Sequence, residues 1–331
     1  MKPPRILVVG SFVMDLIVST SRFPNKGETV LGLTYQTAPG GKGANQAVQA
    51  ARLGADVTMV GKVGKDAFGD ALIESARASG VNVSHVLRSV TQPSAVGNVQ
   101  LEVTETSTNN RIIVVSGANM DITPDDVAFL ENEIDQYDMV LLQLEIPMGI
   151  NCLVASWAKE KGVPVMLNCA PIAQIPDELI KNLTYISPNE HEAEILTGIA
   201  VKDDSSIQAA ISSIKAMGVP NVLITLGSRG VAYEADGSVV YSPALTGLNV
   251  KDTTAAGDSF VGAFCTAMTM GMPLDKALTF ANHTAALTVS RMGAQPSLPT
   301  LDEVLALMRE RGADTSFLRS KLTGEENNDL F

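Results

Sequence analysis

One carboxylate near the end of the chain keeps unusual company. In Asp252 to Phe260, DTTAAGDSF, Asp258 follows Ala255, Ala256 and Gly257, residues with almost no side chain, and precedes an apolar stretch. Small residues at a helix start leave its first N–H groups open, and their orientation and the helix dipole favour a phosphate there. An Asp at that point has two readings. It caps the helix, or it faces a substrate hydroxyl and takes its proton while the helix start stabilises charge on a transferring phosphoryl group.

A second stretch, PGGKGANQ at Pro39 to Gln46, has the glycine content of a ligand-cradling loop. It is no Walker A motif, because Gly43 and not Ser or Thr follows Lys42, and Gly10 opens no G-x-G-x-x-G fingerprint. The stretch reads equally as a phosphate or sugar loop, with Asn45 near the helix start to meet a hydroxyl, and as a tight turn into a close-packed helix. Asn189 and Glu192, in PNEHE, stand three apart on one helical face. They suit the water shell of a Mg²⁺ ion, and helix capping or surface polarity accounts for them nearly as well. His85, His191 and His283, the three histidines, come with neither an H-E-x-x-H order nor a nucleophile elbow, which argues against zinc or Ser-His-Asp hydrolysis.

These residues need a scaffold to bring them together, and the chain has the rhythm of one. RILVVG, MVLLQLE, VPVMLNCAP and NVLITLG are short, wholly apolar runs alternating with helical periods at Asp125–Ile134, Ile150–Lys161 and Ser206–Met217. That is βαβ order, with strands covered on both faces. Helices are also expected at 45–53, 66–78, 256–270, 274–289 and 301–309, and a hairpin at 231–241. Ligands collect beyond the carboxyl ends of such strands, and there stand Asp15, Glu145, Asn168, Asn189 and Thr225 to Gly227. Strands 96–103 and 111–115, with period-2 polarity, look like an antiparallel flap that with residues 16–38 forms a lid, or else like plain edge strands.

The 331 residues, 45% hydrophobic and 18% charged, describe an ordered soluble chain. We expect one large α/β domain over 1–313, lid segments about 16–38 and 95–116, and a polar tail over 314–331. A net charge of −12 argues against a nucleic-acid surface. Cys152, Cys169 and Cys265 have no pairing or metal spacing, and Asp15 interrupts the apolar start, so a cytoplasmic chain without signal peptide or membrane span is expected.

Together, PGGKGANQA, QLE, SPNEHEAE, ITLGSRG, DTTAAGDSF and RMGAQPS resemble the signatures of the PfkB carbohydrate kinase family, in the family's order from Ile6 to Ser297. The resemblance implies a ribokinase-like three-layer αβα sandwich with a small β-sheet lid that often forms a homodimer interface. It implies ATP-dependent phosphorylation of the primary hydroxyl of a small sugar. Asp258 matches the catalytic base, and Ala255, Ala256 and Gly257 the anion hole. Asp15, Gly41, Lys42, Asn45 and Glu145 match sugar-pocket positions. Asn189, Thr225, Leu226, Gly227, Ser228, Arg229, Gly230, Gly257 and Asn282 match nucleotide positions, with Glu192 on the Mg²⁺ side. Asp252, Thr254, Thr288, Arg291, Gly293 and Ser297 match positions around an activating K⁺ ion, some through carbonyls.

One departure bears on the substrate. Members that phosphorylate ribose usually carry Asn where Val13 stands, and those that take 2-deoxyribose are apolar there. An unmet buried hydroxyl costs about 1 to 3 kcal/mol. Val13 therefore favours 2-deoxyribose, while the remaining pocket residues keep D-ribose ahead; another sugar or a nucleoside, or a non-catalytic sugar-binding protein, ranks lower. Asp258 speaks against the last, since a binding protein needs no proton acceptor beside an anion hole.

Overall fold

A computed structural model describes residues 2–104, 108–235 and 237–316. Its strands are β1 (Arg5–Val9), β2 (Val13–Thr20), β3 (Thr34–Gly40), β4 (Asp56–Gly64), β5 (Asn82–Ser89), β6 (Val96–Val103) and β7 (Thr108–Val115). They continue with β8 (Met139–Leu142), β9 (Val165–Asn168), β10 (Tyr185–Ser187), β11 (Asn221–Thr225), β12 (Val231–Ala235) and β13 (Ser238–Ser242). The helices are α1 (Lys42–Arg52), α2 (Ala67–Ala78), α3 (Pro124–Val127), α4 (Leu130–Glu133), α5 (Met148–Glu160) and α6 (Asp177–Ile180). They end with α7 (Glu190–Thr197), α8 (Asp204–Ala216), α9 (Ala256–Thr269), α10 (Leu274–Val289) and α11 (Leu301–Glu310).

Nine strands form the main sheet in the order β13-β12-β11-β10-β9-β8-β1-β4-β5, parallel from β5 to β11 and closed by the antiparallel β12 and β13. Along β1 the fully buried side chains alternate between two cores. Ile6 and Val8 join the apolar cluster that includes α1, α9 and α10, and Leu7 and Val9 the one that includes α5 and α8. Burial on both faces is why the strand can be apolar throughout. From β1 the chain moves to β4 and β5 on one side and later to β8 through β11 on the other, so a switch point lies between β1 and β8, where such sheets bind ligands.

The flap strands are a separate four-stranded sheet, β3-β2-β6-β7, and not edge strands of the main one. It starts at Val13 and reaches Gly40, wider than the expected 16–38, because β2 follows β1 after only Gly10 to Phe12. Asp15 pairs with Ala38 on one side and Gly97 on the other.

Three local expectations differ. The mixed-polarity β5 was not expected, since an edge strand shows no apolar run. The helix expected over Asp125–Ile134 is broken into α3 and α4 by i→i+3 bonds at Glu131 to Ala128 and Asn132 to Phe129. Its acids, Asp125, Asp126, Glu131 and Glu133, have no base four residues on to hold a regular helix. The short α6 was also missed. Glu105 to Ser107 of the lid turn, Asp236, and residues 317–331 of the expected tail lie outside the described residues.

Candidate active site

The two glycine-rich helix starts are built alike in sequence and oppositely in space. At α1 the first-turn donors are spent: Lys42 N–H goes to Glu145 Oε2 at 3.0 Å, Gly43 N–H to Ser11 Oγ at 3.2 Å and Ala44 N–H to the Ser11 carbonyl at 2.9 Å. Ser11 Oγ in turn donates to Glu145. A Cβ on Gly43 would lie 2.5 Å from Ser11 N, and one on Gly41 (φ 95°) 2.7 Å from Val13 N. PGGKGANQ is thus close-packed, its glycines letting α1 press on the β1–β2 junction. The N–H groups of Lys42, Gly43 and Ala44 are therefore not open to a phosphate.

At α9 the first turn faces a cleft. Ala255 is the N-cap, in the left-handed region at φ 59°, and Asp258 is the third helical residue. The capping reading of Asp258 fails on this geometry, because its carboxylate accepts no N–H of its own helix. It turns to α1, where Asn45 Nδ2 donates to Oδ2 at 2.9 Å and Gln46 Nε2 to Oδ1 at 3.1 Å. Ala256 N–H reaches the Thr253 carbonyl at 3.2 Å; among the described residues no protein group accepts from Ala255 or Gly257 N–H. A Cβ on Gly257 would meet nothing within 4 Å, so the space in front of it belongs to the cleft.

That cleft, about 210 Å³, is lined by Lys42, Asn168, Ala170, Ser187, Asn189, Glu192, Thr225, Thr253 and Ala255 to Asp258. Of the residues singled out from sequence it gathers Lys42, Asn189, Glu192, Thr225 and the α9 start. Asn168, flagged only for its place at a strand end, and Ser187 and Thr253, missed altogether, join them. Asn168 Oδ1 and Ser187 Oγ are buried without a protein partner. Both are oxygens at strand carboxyl ends, the only signal that could have found Ser187 and one too common to act on.

Asn189 and Glu192 do cap α7, each side chain accepting the other's backbone N–H at 2.8 Å, and they line the cleft as well. One Glu192 oxygen is thereby used and the other is not. Burial holds the Glu192 carboxyl above its usual range. Lys42 is pulled down by burial, but the fields of Asp258, Glu145 and Glu192 outweigh this and raise it, so its ammonium stays charged. Unpaired oxygens of Asn168, Ser187 and Glu192 fit a Mg²⁺ ion that keeps several waters.

The positions expected to hold the sugar cluster around the β1–β2 junction. Val13 is 4% exposed. The Asp15 oxygens occupy space that a Cβ on Gly40 or Gly97 would invade, at 2.8 and 2.4 Å. Burial, then the Glu145 charge, raise the Asp15 carboxyl to about 6. Asn45 Oδ1 is buried and unpartnered.

On the other side of the cleft, Thr225 N–H donates to the Pro188 carbonyl at 2.9 Å, tying β11 to the Asn189 turn. Gly227, Ser228 and Arg229 form a 3₁₀ turn after Leu226, and Arg229 pairs with Glu190 at 3.1 Å. Gly230 packs where a Cβ would strike the Ser242 carbonyl at 2.1 Å. Asn282 Nδ2 donates to that same carbonyl at 3.1 Å, so it joins this group although it does not line the cleft. Asp252 links two loops: Oδ1 accepts from Thr254 N–H at 2.9 Å and from its hydroxyl at 2.6 Å, and Oδ2 from Gly293 N–H at 2.9 Å. Thr288 and Ser297 donate to the Thr284 and Ala294 carbonyls, and Arg291 pairs with Glu303 at 2.7 Å. The carboxylate and carbonyls of these loops are oxygen donors fit for a hard monovalent cation.

The family model described as pfkB family carbohydrate kinase matches residues 3–301. The ribokinase of Bacillus subtilis is 42% identical over 303 residues, which cover 92% of this chain and 99% of that protein. The deoxyribokinase of Salmonella typhi is 32% identical over 299 residues, 90% of this chain and 96% of that one. The solved structure of Arabidopsis thaliana ribokinase complexed with ribose and ATP superposes with a TM-score of 0.85 at 37% identity, covering 93% of this chain and 99% of that one.

Proposed function

We propose that this chain, which belongs to the pfkB family of carbohydrate kinases, transfers the γ-phosphoryl group of ATP to the primary hydroxyl of D-ribose, giving ribose 5-phosphate. The observation that carries the reading is the α9 start, where a buried carboxylate and open N–H groups sit within one turn and face one cleft. A sugar kinase needs a proton acceptor and an anion hole in that relation.

Asp258 takes the proton of the sugar hydroxyl as its oxygen attacks phosphorus. Ala255 and Gly257 N–H groups, with the helix dipole, stabilise charge on the transferring group, and Lys42 adds a full positive charge. Asp15, Asn45 and Glu145 hold the sugar, with Gly41 allowing the close turn. Thr225 to Gly230, Asn189 and Asn282 lie against the nucleotide. Mg²⁺ would supply charge neutralisation of the phosphates, and the free oxygens of Glu192, Asn168 and Ser187, beside Asn189, would hold its waters. K⁺ belongs with Asp252, Thr254, Thr288, Arg291, Gly293 and Ser297, next to the anion hole it would support.

A second reading is favoured by Val13, which is buried in the sugar-side cluster and offers no polar atom. It points to 2-deoxyribose, the substrate class named for the Salmonella relative. Turnover of ribose, 2-deoxyribose, fructose and adenosine with ATP, with and without K⁺, decides between them. Ribose preferred by tenfold or more supports the first reading, comparable rates on both pentoses the second, and sugar binding without ATP consumption refutes both.

The lid supports a homodimer. Ile112 to Val115 on β7 are each more than half exposed, as are Leu33, just before β3, and Tyr35 on β3, the opposite edge of the same sheet. An apolar edge of this kind is normally covered. We assign the chain to the cytoplasm, where free Cys152 and the buried Cys169 and Cys265 stay reduced. No described helix is long and apolar enough to cross a membrane.

A further inference from the structure

The two amides that grip Asp258 differ in what stands behind them. Asn45 keeps an unpartnered Oδ1, as befits a side chain with a sugar hydroxyl still to meet. Gln46 is fully buried, and its Oε1 accepts from Gln143 Nε2 at 2.7 Å. Gln143, just beyond β8, is also fully buried, and its backbone carbonyl accepts from Asn151 Nδ2 on α5 at 2.8 Å.

An ionised carboxylate only accepts hydrogen bonds. Gln46 must therefore turn its NH₂ to Asp258 and its carbonyl to Gln143, and Gln143 must donate. The charge of one residue sets the direction of both amides between α9 and β8. Missing side chains make the room: a Cβ on Gly10 would lie 2.0 Å from Gln143 Oε1, and one on Gly262, a turn beyond Asp258, 2.9 Å from the Gln46 backbone carbonyl.

Resting on the kinase reading, we propose that Gln46 is the positioning residue of the base. Held in one orientation by Gln143, it locks the Asp258 carboxylate for proton transfer and serves turnover without touching the sugar. The charged groups that face Asp258 are Lys42 on α1 and Glu192 on α7, and the amide chain adds none. A charge introduced at Gln46 would thus be the one new field on the base.

Three variants test this. Gln46→Met removes the donor at constant length, Gln143→Met removes only its support, and Gln46→Glu sets a second carboxylate against the first. Gln46→Met is expected to lower kcat roughly 10- to 100-fold with sugar KM within about threefold, as misplacement of a reacting group does. Gln143→Met should lower kcat less, and the double variant no more than Gln46→Met alone. In Gln46→Glu the acid limb of the kcat profile should move up by about one pH unit or more. The ¹³C carboxyl resonance of Asp258 in the sugar-free protein, assigned through Asp258→Asn, should titrate correspondingly higher.

An unmoved resonance in Gln46→Glu overturns the proposal. So does a Gln46→Met protein that loses melting temperature but keeps wild-type kcat, the mark of a merely structural role. The NMR readout is independent of which sugar reacts. A shifted resonance in a protein whose wild type phosphorylates no sugar leaves the positioning intact and defeats the kinase reading.

Discussion

Asn45 donates to Asp258 at 2.9 Å across 213 residues of sequence. Helix α1, which follows the glycine-rich turn, and helix α9 are therefore joined at the Asp258 carboxylate. On the proposed function, sugar and phosphoryl group meet where these two helices touch.

Replacing Asp258 with Asn keeps the shape and removes the basicity. We expect sugar binding by calorimetry to stay within a few-fold of wild type and kcat to fall by about 10³, in the range for loss of a general base. A variant that retained a tenth of the turnover would refute the assignment.

The α9 start separates strain from space. Ala255 holds φ 59°, a conformation that costs an L-residue about 1 to 2 kcal/mol. Ala255→Gly should stabilise the protein to urea by up to about 1 kcal/mol, since glycine also loses more freedom on folding. Gly257 presses on nothing, so Gly257→Ala should melt as wild type does while losing most turnover, its methyl standing where the phosphoryl group passes. Equal losses of stability and turnover would contradict this.

Asp15 gives a pH signature. Its carboxyl is raised to about 6 by burial and then by Glu145, whereas an unfolded chain ionises Asp near about 4. Between these values the native state binds more protons than the unfolded one, so stability falls as pH rises through the window. Asp15→Asn should match wild type in melting temperature at pH 4 and exceed it at pH 7. A difference that stays flat with pH would mean that Asp15 titrates normally. Sugar hydroxyls donate to the ionised form, so sugar KM in wild type should rise as pH drops below about 6.

Val13→Asn tests the pocket. A regained hydrogen bond to a hydroxyl that 2-deoxyribose lacks should raise the ribose to 2-deoxyribose ratio of kcat/KM about tenfold or more. An unchanged ratio would remove Val13 from specificity.

What could be read in advance follows from range. The apolar runs of β1, β8, β9 and β11 announce a sheet covered on both faces, and the small residues before Asp258 announce an open helix start, because each is a local pattern. The α1 start has an equally suggestive pattern and the opposite fate. Its donors are taken by Ser11 and by Glu145, which lies 103 positions from Lys42, and no window on PGGKGANQ contains that partner. Ser187 and Gln46 stayed hidden for the same reason. A buried serine or glutamine is ordinary until its neighbours across the fold are known. The polar β5 gave no strand signal, since an edge is only partly covered.

Lys42 answers to both halves of the molecule: its N–H is held by Glu145 on the sugar side, and its side chain borders the cleft with Asn189 and Thr225. On the proposed function, a residue so shared would make the two substrates heterotropic effectors of one another. Whatever factor the sugar contributes to nucleotide affinity, the nucleotide must return to the sugar in equal measure, so titrations run in either order yield one coupling constant.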